Sequence, residues 1–190
     1  MDLQLNGKRA LVTGGSKGIG RAIARQLALE GADVVIAARN PDDLTLAAKA
    51  LSDETGRTIL GLTVDTHDDR SVKALIEDAV STLGGLDILV NAAAMPGGQA
   101  PPPKLAEITG EAFWEDVDVK VMGYLRTARE AAPHMIAGGW GRIINVSGLA
   151  ARQTGSIIGS IRNVAVAALT KNLADELGPK GINVPWFTPG

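Results

Sequence analysis

Residues 13–20 read Thr13-Gly14-Gly15-Ser16-Lys17-Gly18-Ile19-Gly20, and this stretch decides the fold. It follows a short apolar run, Ala10-Leu11-Val12, that reads as a strand. It opens a segment in which Ile19, Ala22, Ile23 and Leu27 repeat at helical spacing. Glycine lets a backbone turn sharply and approach a diphosphate closely. The helix that follows aims free N–H groups and a positive dipole end at such an anion. A glycine-rich turn by itself means little. Between a first strand and a helix it reads as a dinucleotide phosphate loop. Gly14, Ser16, Lys17, Gly18, Ile19 and Gly20 are therefore the first candidate cofactor residues.

Working outward, strand and helix patterns alternate to the end of the chain. Gly31 closes the first helix, and Val34-Val35-Ile36-Ala37-Ala38 is a second strand. Asn40-Pro41 starts a helix that runs to about Leu51, with a capping side chain and then proline in the first turn. Residues 59–64 form a third strand. Val72, Leu75, Ile76, Ala79, Val80 and Leu83 make an apolar helical stripe that Gly84-Gly85 stops. Residues 86–90 are a fourth strand, and a loop rich in proline and glycine follows over 95–103. Thr109 can cap one long helix reaching about Ala137. Strands at 142–146 and 182–187 flank a helix at about 161–177. Repeated strand–helix order implies parallel strands with right-handed crossovers. Nearly continuous apolar strands fit a sheet covered on both faces. The expectation is a doubly wound α/β domain of the Rossmann type, with about six parallel strands, occupying residues 1–190 as one unit.

Composition excludes several classes. With 190 residues, one domain is expected. No apolar run is long enough for a transmembrane helix, and the N-terminus lacks the pattern of a secretory signal. The net charge of −2, with dispersed lysine and arginine, and only 3% aromatics read against a nucleic-acid binder. Cysteine is absent, which excludes disulfides, thiolate catalysis and cysteine-based zinc sites. The two histidines, His67 and His134, are too few for a metal cluster. A cytoplasmic location with no metal is expected.

In a dinucleotide fold an acidic residue about 20 positions beyond the loop holds the ribose diol of NAD. Here the end of the second strand reads Ala37-Ala38-Arg39, without a carboxylate. A guanidinium at Arg39 suits a 2′-phosphate, and Lys17 adds positive charge nearby. NADP(H) is thus expected in preference to NAD(H). For each residue the alternative is an ordinary solvated charge.

Together these residues resemble the short-chain dehydrogenase/reductase family, over essentially the whole chain. The loop Thr-Gly-x-x-x-Gly-x-Gly matches residues 13–20 without a gap. The resemblance assigns Asp65 to adenine contact and Asn91-Ala92-Ala93 to the Asn-Ala-Gly motif, with alanine in its third place. It also assigns the carbonyl-polarising serine to Ser147 and the closing Pro-Gly to Pro189-Gly190. The implied chemistry is hydride transfer between a nicotinamide and a carbonyl or alcohol carbon of a small molecule. In the family a tyrosine handles the proton, a lysine lowers that tyrosine's pKa, and an asparagine positions a water relay. A homodimer through the helices near 110–137 and 161–177 is also implied.

The catalytic pattern then departs from the family. The sole tyrosine, Tyr124, precedes the fifth strand. Counting 12 residues from Ser147 puts Gly159 at the tyrosine position and Asn163 at the lysine position. Counting 13 gives Ser160 and Val164, a register that aligns the following helix less well. Lys120 occupies the relay asparagine's place. The amphipathic pattern reads Lys120 as solvated; the alternative is an ammonium turned into the site. Lys171 lies too far along its helix, and Arg162 can polarise a carbonyl but not give up a proton at neutral pH. Ser147 has its own alternative as a turn or helix cap. A hydrolase elbow is not formed by Asn145-Val146-Ser147-Gly148-Leu149. The end at Gly190 is earlier than the family's usual substrate segment and is expected to leave the last strand as an edge, where Pro185 is tolerable. Two functions follow: an NADP(H)-dependent oxidoreductase, or a non-catalytic NADP(H)-binding scaffold.

Overall fold

The computed structural model describes residues 3–95 and 101–188. The first half alternates β1 (Arg9–Thr13), α1 (Gly18–Leu29), β2 (Asp33–Ala38), α2 (Pro41–Thr55), β3 (Ile59–Thr63), α3 (Asp69–Leu83) and β4 (Ile88–Asn91). The second half contains α4 (Gly110–Val117), a π-helical turn (Asp118–Met122), α5 (Gly123–Gly138), β5 (Gly141–Val146), α6 (Ile157–Leu177), β6 (Ile182–Asn183) and β7 (Trp186–Phe187). The strands form one parallel seven-stranded sheet in the order β3-β2-β1-β4-β5-β6, with β7 also pairing β5. Strand order reverses between β1 and β4. That is the switch point at which open α/β sheets leave a crevice beyond the strand C-termini.

Side-chain alternation builds a core on each face. Leu11, Val35, Leu89 and Ile143 meet Leu75, Ile76 and Ala79 of α3 and Ala128, Ala131 and Met135 of α5. Val12, Val34, Ile36, Ile88 and Val90 face Ala24 and Ala28 of α1 and Leu44, Ala47 and Leu51 of α2. Helix starts obey local capping. Asn40 Oδ1 accepts from the Asp42 and Asp43 N–H groups, and Thr109 Oγ1 accepts from the Ala112 N–H. No helix of the described residues is long and apolar enough to cross a membrane.

The long helix expected from Thr109 to about Ala137 is present: α4, the π-turn and α5 follow one another without a gap and keep helical backbone angles at both junctions. Two elements differ from the sequence expectation. The helix expected from residue 161 begins at Ile157, because Ser156 Oγ accepts from the Gly159 N–H and caps it there. The sixth strand, expected to run over 182–187, is two short pieces, so the sheet has seven strands rather than about six. Pro185 lies between the pieces and has no N–H to give, although its carbonyl accepts from the Asn145 N–H at 3.1 Å.

Candidate functional site

The glycine loop crosses the C-terminal end of β1 and is held from both sides. Gly15 N–H donates to the Ala37 carbonyl of β2. Thr13 Oγ1 accepts from the Ala92 and Ala93 N–H groups just beyond β4, at 3.3 and 3.4 Å. Gly14 has φ +68°, and a Cβ there would sit 2.8 Å from the Ala92 and Ala93 backbone. A Cβ on Gly20 would collide with the Gly14 carbonyl oxygen. Gly18 faces open space. Lys17 is the N-cap residue of α1, yet no side chain caps that helix and its first turn holds no acid. The helix thus presents unfilled N–H donors and its positive end beside a backbone cradle, which fits an anion such as a diphosphate.

The other cofactor candidates surround this cradle differently. Arg39 is exposed just past β2, and Lys17 is exposed at the loop. Ser16, Lys17, Arg21 and Asp43 line a concavity of about 360 Å³ between the loop and α2. Asp65 is exposed beyond β3, its backbone N–H donating to Ser71 Oγ and its Oδ1 accepting from the His67 N–H. Asn91 is fully buried and its amide is spent inside the protein. It donates to Asn145 Oδ1 and accepts from Thr127 Oγ1, while Asn145 Nδ2 donates to Thr170 Oγ1. This chain of amides and hydroxyls ties β4, β5, α5 and α6 together. Pro189 and Gly190 lie outside the described residues.

The catalytic end centres on Ser147, just past β5. It is 4% exposed and its Oγ donates to the Asn163 carbonyl of α6 at 3.2 Å. Lys120, in the π-turn, is also 4% exposed, so the solvated reading of that residue is wrong. Its Nζ donates to Asn163 Oδ1 at 2.8 Å and to the Ser147 carbonyl at 3.2 Å. Asn163 Nδ2 in turn donates to the Gly159 carbonyl at 2.7 Å. Burial, reinforced by the charge of Arg162 and opposed by that of Asp116, pushes the Lys120 ammonium down to about 8. Sequence reasoning had a signal for this. Lys120 stands four residues before Tyr124, on the stripe that continues through Ala128, Ala131 and Met135.

Neither other substitute is placed for proton transfer. Arg162 Nη1 pairs with Asp116 while its Nε is buried without a hydrogen-bond partner, and a guanidinium does not give up a proton near neutrality. Tyr124 is 1% exposed, donates its hydroxyl proton to the Val146 carbonyl at 3.0 Å, and is held well above the usual phenol range by burial. At the tyrosine position, a Cβ on Gly159 would stand 3.0 Å from Ser156 Oγ. Lys171 is exposed on the next turns of α6.

A phosphate cradle at the switch point and a polar cluster at the end of β5 are the layout of a Rossmann-type dinucleotide-binding domain. The chain belongs to the short chain dehydrogenase family, whose pattern matches residues 8–190. An uncharacterized oxidoreductase of Staphylococcus aureus (strain USA300) is 35% identical over 188 residues, spanning 98% of this chain and 78% of that relative. The crystal structure of L-sorbose reductase from Gluconobacter frateurii, complexed with NADPH and L-sorbose, superposes with TM-score 0.91 at 35% identity. It covers 100% of this chain and 72% of that one. NAD+-bound xylitol dehydrogenase superposes with TM-score 0.91 at 28% identity, covering 98% and 71%.

Proposed function

We propose that the chain is an NADP(H)-dependent oxidoreductase that interconverts a carbonyl and an alcohol on a small molecule. The observation that carries the NADP(H) reading is Arg39, exposed at the end of β2 where a ribose-binding carboxylate would otherwise stand. Lys17 at the N-terminus of α1 supports it. Gly14, Ser16, Gly18, Ile19 and Gly20 would hold the diphosphate, Asp65 would contact the adenine, and Ala92 would line the ribose path. When bound, the cofactor supplies or accepts the hydride. Ser147 would polarise the carbonyl once its hydroxyl turns from α6. The NADPH complex of the similar L-sorbose reductase makes a ketose a reasonable first probe. Ile161 and Val164 of α6 and Trp114 of α4 are exposed apolar side chains, which supports a homodimer through these helices.

Glycine at 159 and asparagine at 163 favour a second reading, a scaffold that binds NADP(H) without turnover. Calorimetric titration with NADPH and NADH, followed by NADPH oxidation over ketoses, aldehydes and 1,2-diones, separates the two. Tight NADPH binding with consumption supports the enzyme. Binding without consumption supports the scaffold, and equal or absent binding of both nucleotides overturns the cofactor assignment.

A further inference from the structure

Among the described residues Lys120 is the only buried lysine or arginine. Burying an ammonium without a carboxylate is costly, so such a group needs a reason to be kept. The nearest candidate counter-charge, Asp116 of α4, is taken by Arg162 of α6. Tyr124, one turn further along the helix, is neutral and bonded to Val146. Lys120 is held only by neutral acceptors, Asn163 Oδ1 and the Ser147 carbonyl. An ammonium carries three protons. The third finds no protein acceptor among the described residues.

The position adds to this. Lys120 sits in a π-helical turn, a distortion that concentrates at functional sites. Its two acceptors belong to the end of β5 and to α6, at the C-terminal edge of the sheet where ligands of open α/β folds bind. The competing proton carriers are engaged or remote. His67 Nδ1 is paired with Asp118 at 2.7 Å, and His134 is exposed near the far end of α5.

We propose that Lys120 is the proton donor to the carbonyl oxygen, with Asn163 and the Ser147 carbonyl holding its Nζ in place. This rests on the oxidoreductase reading above. In the reduction the Nζ–H bond breaks and an O–H bond forms on the substrate. The oxygen bonds that proton with the electron pair of the carbonyl π bond, displaced as hydride from reduced nicotinamide makes the new C–H bond. The carbonyl is reduced, the nicotinamide is oxidised, and the neutral Lys120 amine takes its proton back from solvent. A donor that titrates near the working pH is the effective kind. With Lys120 pushed down to about 8 by burial and Arg162, reduction falls as pH rises through that value, and alcohol oxidation rises.

The test uses the full chain, with NADPH and a panel containing L-sorbose and 1-phenyl-1,2-propanedione. NADPH affinity is measured separately by calorimetry, and the Lys120 Nζ titration by NMR of lysine-labelled protein. Lys120→Arg keeps the charge but cannot release a proton near neutrality. It is expected to bind NADPH within a few-fold of the parent and to lose roughly 10²–10⁴ in reduction rate. Asn163→Asp sets a carboxylate beside Nζ and is expected to move both the alkaline limb and the NMR titration to higher pH together. Reduction by Lys120→Arg within threefold of the parent, or an Nζ signal titrating in the ordinary lysine range, overturns the role of Lys120 and leaves the oxidoreductase reading intact. A parent chain that binds NADPH and consumes none across the panel overturns both.

Discussion

Asn91 and Asn145 stand opposite each other in register on β4 and β5, and the Asn91 Nδ2 donates to the Asn145 Oδ1 at 3.0 Å with both side chains fully buried. The pair fixes the spacing of the two strand ends from which Ala92, Ala93 and Ser147 emerge. Asn91→Ala leaves Asn145 and Thr127 short of partners in a dry interior. The expected cost is roughly 1–3 kcal/mol of unfolding free energy, read from urea denaturation. Asn91→Leu restores apolar volume but not the bond, so it is expected to recover only part of that loss.

Gly14 carries two constraints at once, a left-handed backbone and contact with the backbone beyond β4. Gly14→Ala is expected to cost about 1–2 kcal/mol from backbone conformation alone, with more from the displaced loop. NADPH binding by calorimetry is expected to weaken at least tenfold. Gly18→Ala shares the left-handed backbone cost, at φ +56°, but meets no neighbour, so it is expected to be milder in stability than Gly14→Ala.

Arg39 decides between the nucleotides if the cofactor assignment holds. Arg39→Asp replaces a phosphate-binding guanidinium with a carboxylate suited to a ribose diol. NADPH affinity is expected to fall about 10–100-fold and NADH affinity to rise, inverting the preference in a side-by-side titration. Unchanged affinity for both would show Arg39 to be a solvated strand-end charge.

Arg9 and Asp87 form a two-pronged ion pair between β1 and the segment leading into β4, with contacts of 2.8 Å from Nε and Nη2. The Arg9 hydrogen bond is the main reason the Asp87 carboxyl is held below the usual carboxylate range, against the opposing effect of burial. A carboxyl depressed in the folded state gives stability that is complete above its unfolded pKa and is lost as pH falls through the folded value. Arg9→Ala is therefore expected to be less stable by on the order of 1–2 kcal/mol at pH 7, given the partial exposure of Arg9. The gap is expected to narrow below about pH 4, as thermal unfolding across pH would record.

The parallel sheet was legible because it rests on repeated signals. Apolar runs such as 34–38 alternate with stripes such as Val72-Leu75-Ile76-Ala79, and glycine loops punctuate them. The phosphate cradle was legible for the same reason, since its steric demands fall on consecutive residues. The catalytic end was read less well. A lysine defaults to solvent in any pattern argument, and only the phase shared with Tyr124 and Ala128 marks Lys120 as inward. The π-turn leaves no signature, because the apolar positions keep their spacing through it. Asn163 is one of several polar residues on α6, and its partner lies 43 positions away, beyond the reach of local reasoning. The split of the last strand is written in Pro185, whose missing N–H interrupts the ladder between residues 183 and 186.

The placement of β1 between β2 and β4 also governs when the molecule becomes competent during its synthesis. The first three strands and two helices can assemble while the rest of the chain is still being made. The loop that follows β1 then waits, because one wall of its cradle is Ala92 and Ala93, some 80 residues downstream. Contacts across such a sequence separation close slowly. A nascent chain halted before β4 holds every glycine of the loop and the Gly15–Ala37 bond to β2, but lacks the wall formed by Ala92 and Ala93. Nucleotide added to refolding protein is then a clock for the late steps alone, blind to the first half of the sheet and sensitive to the moment β4 slides in beside β1.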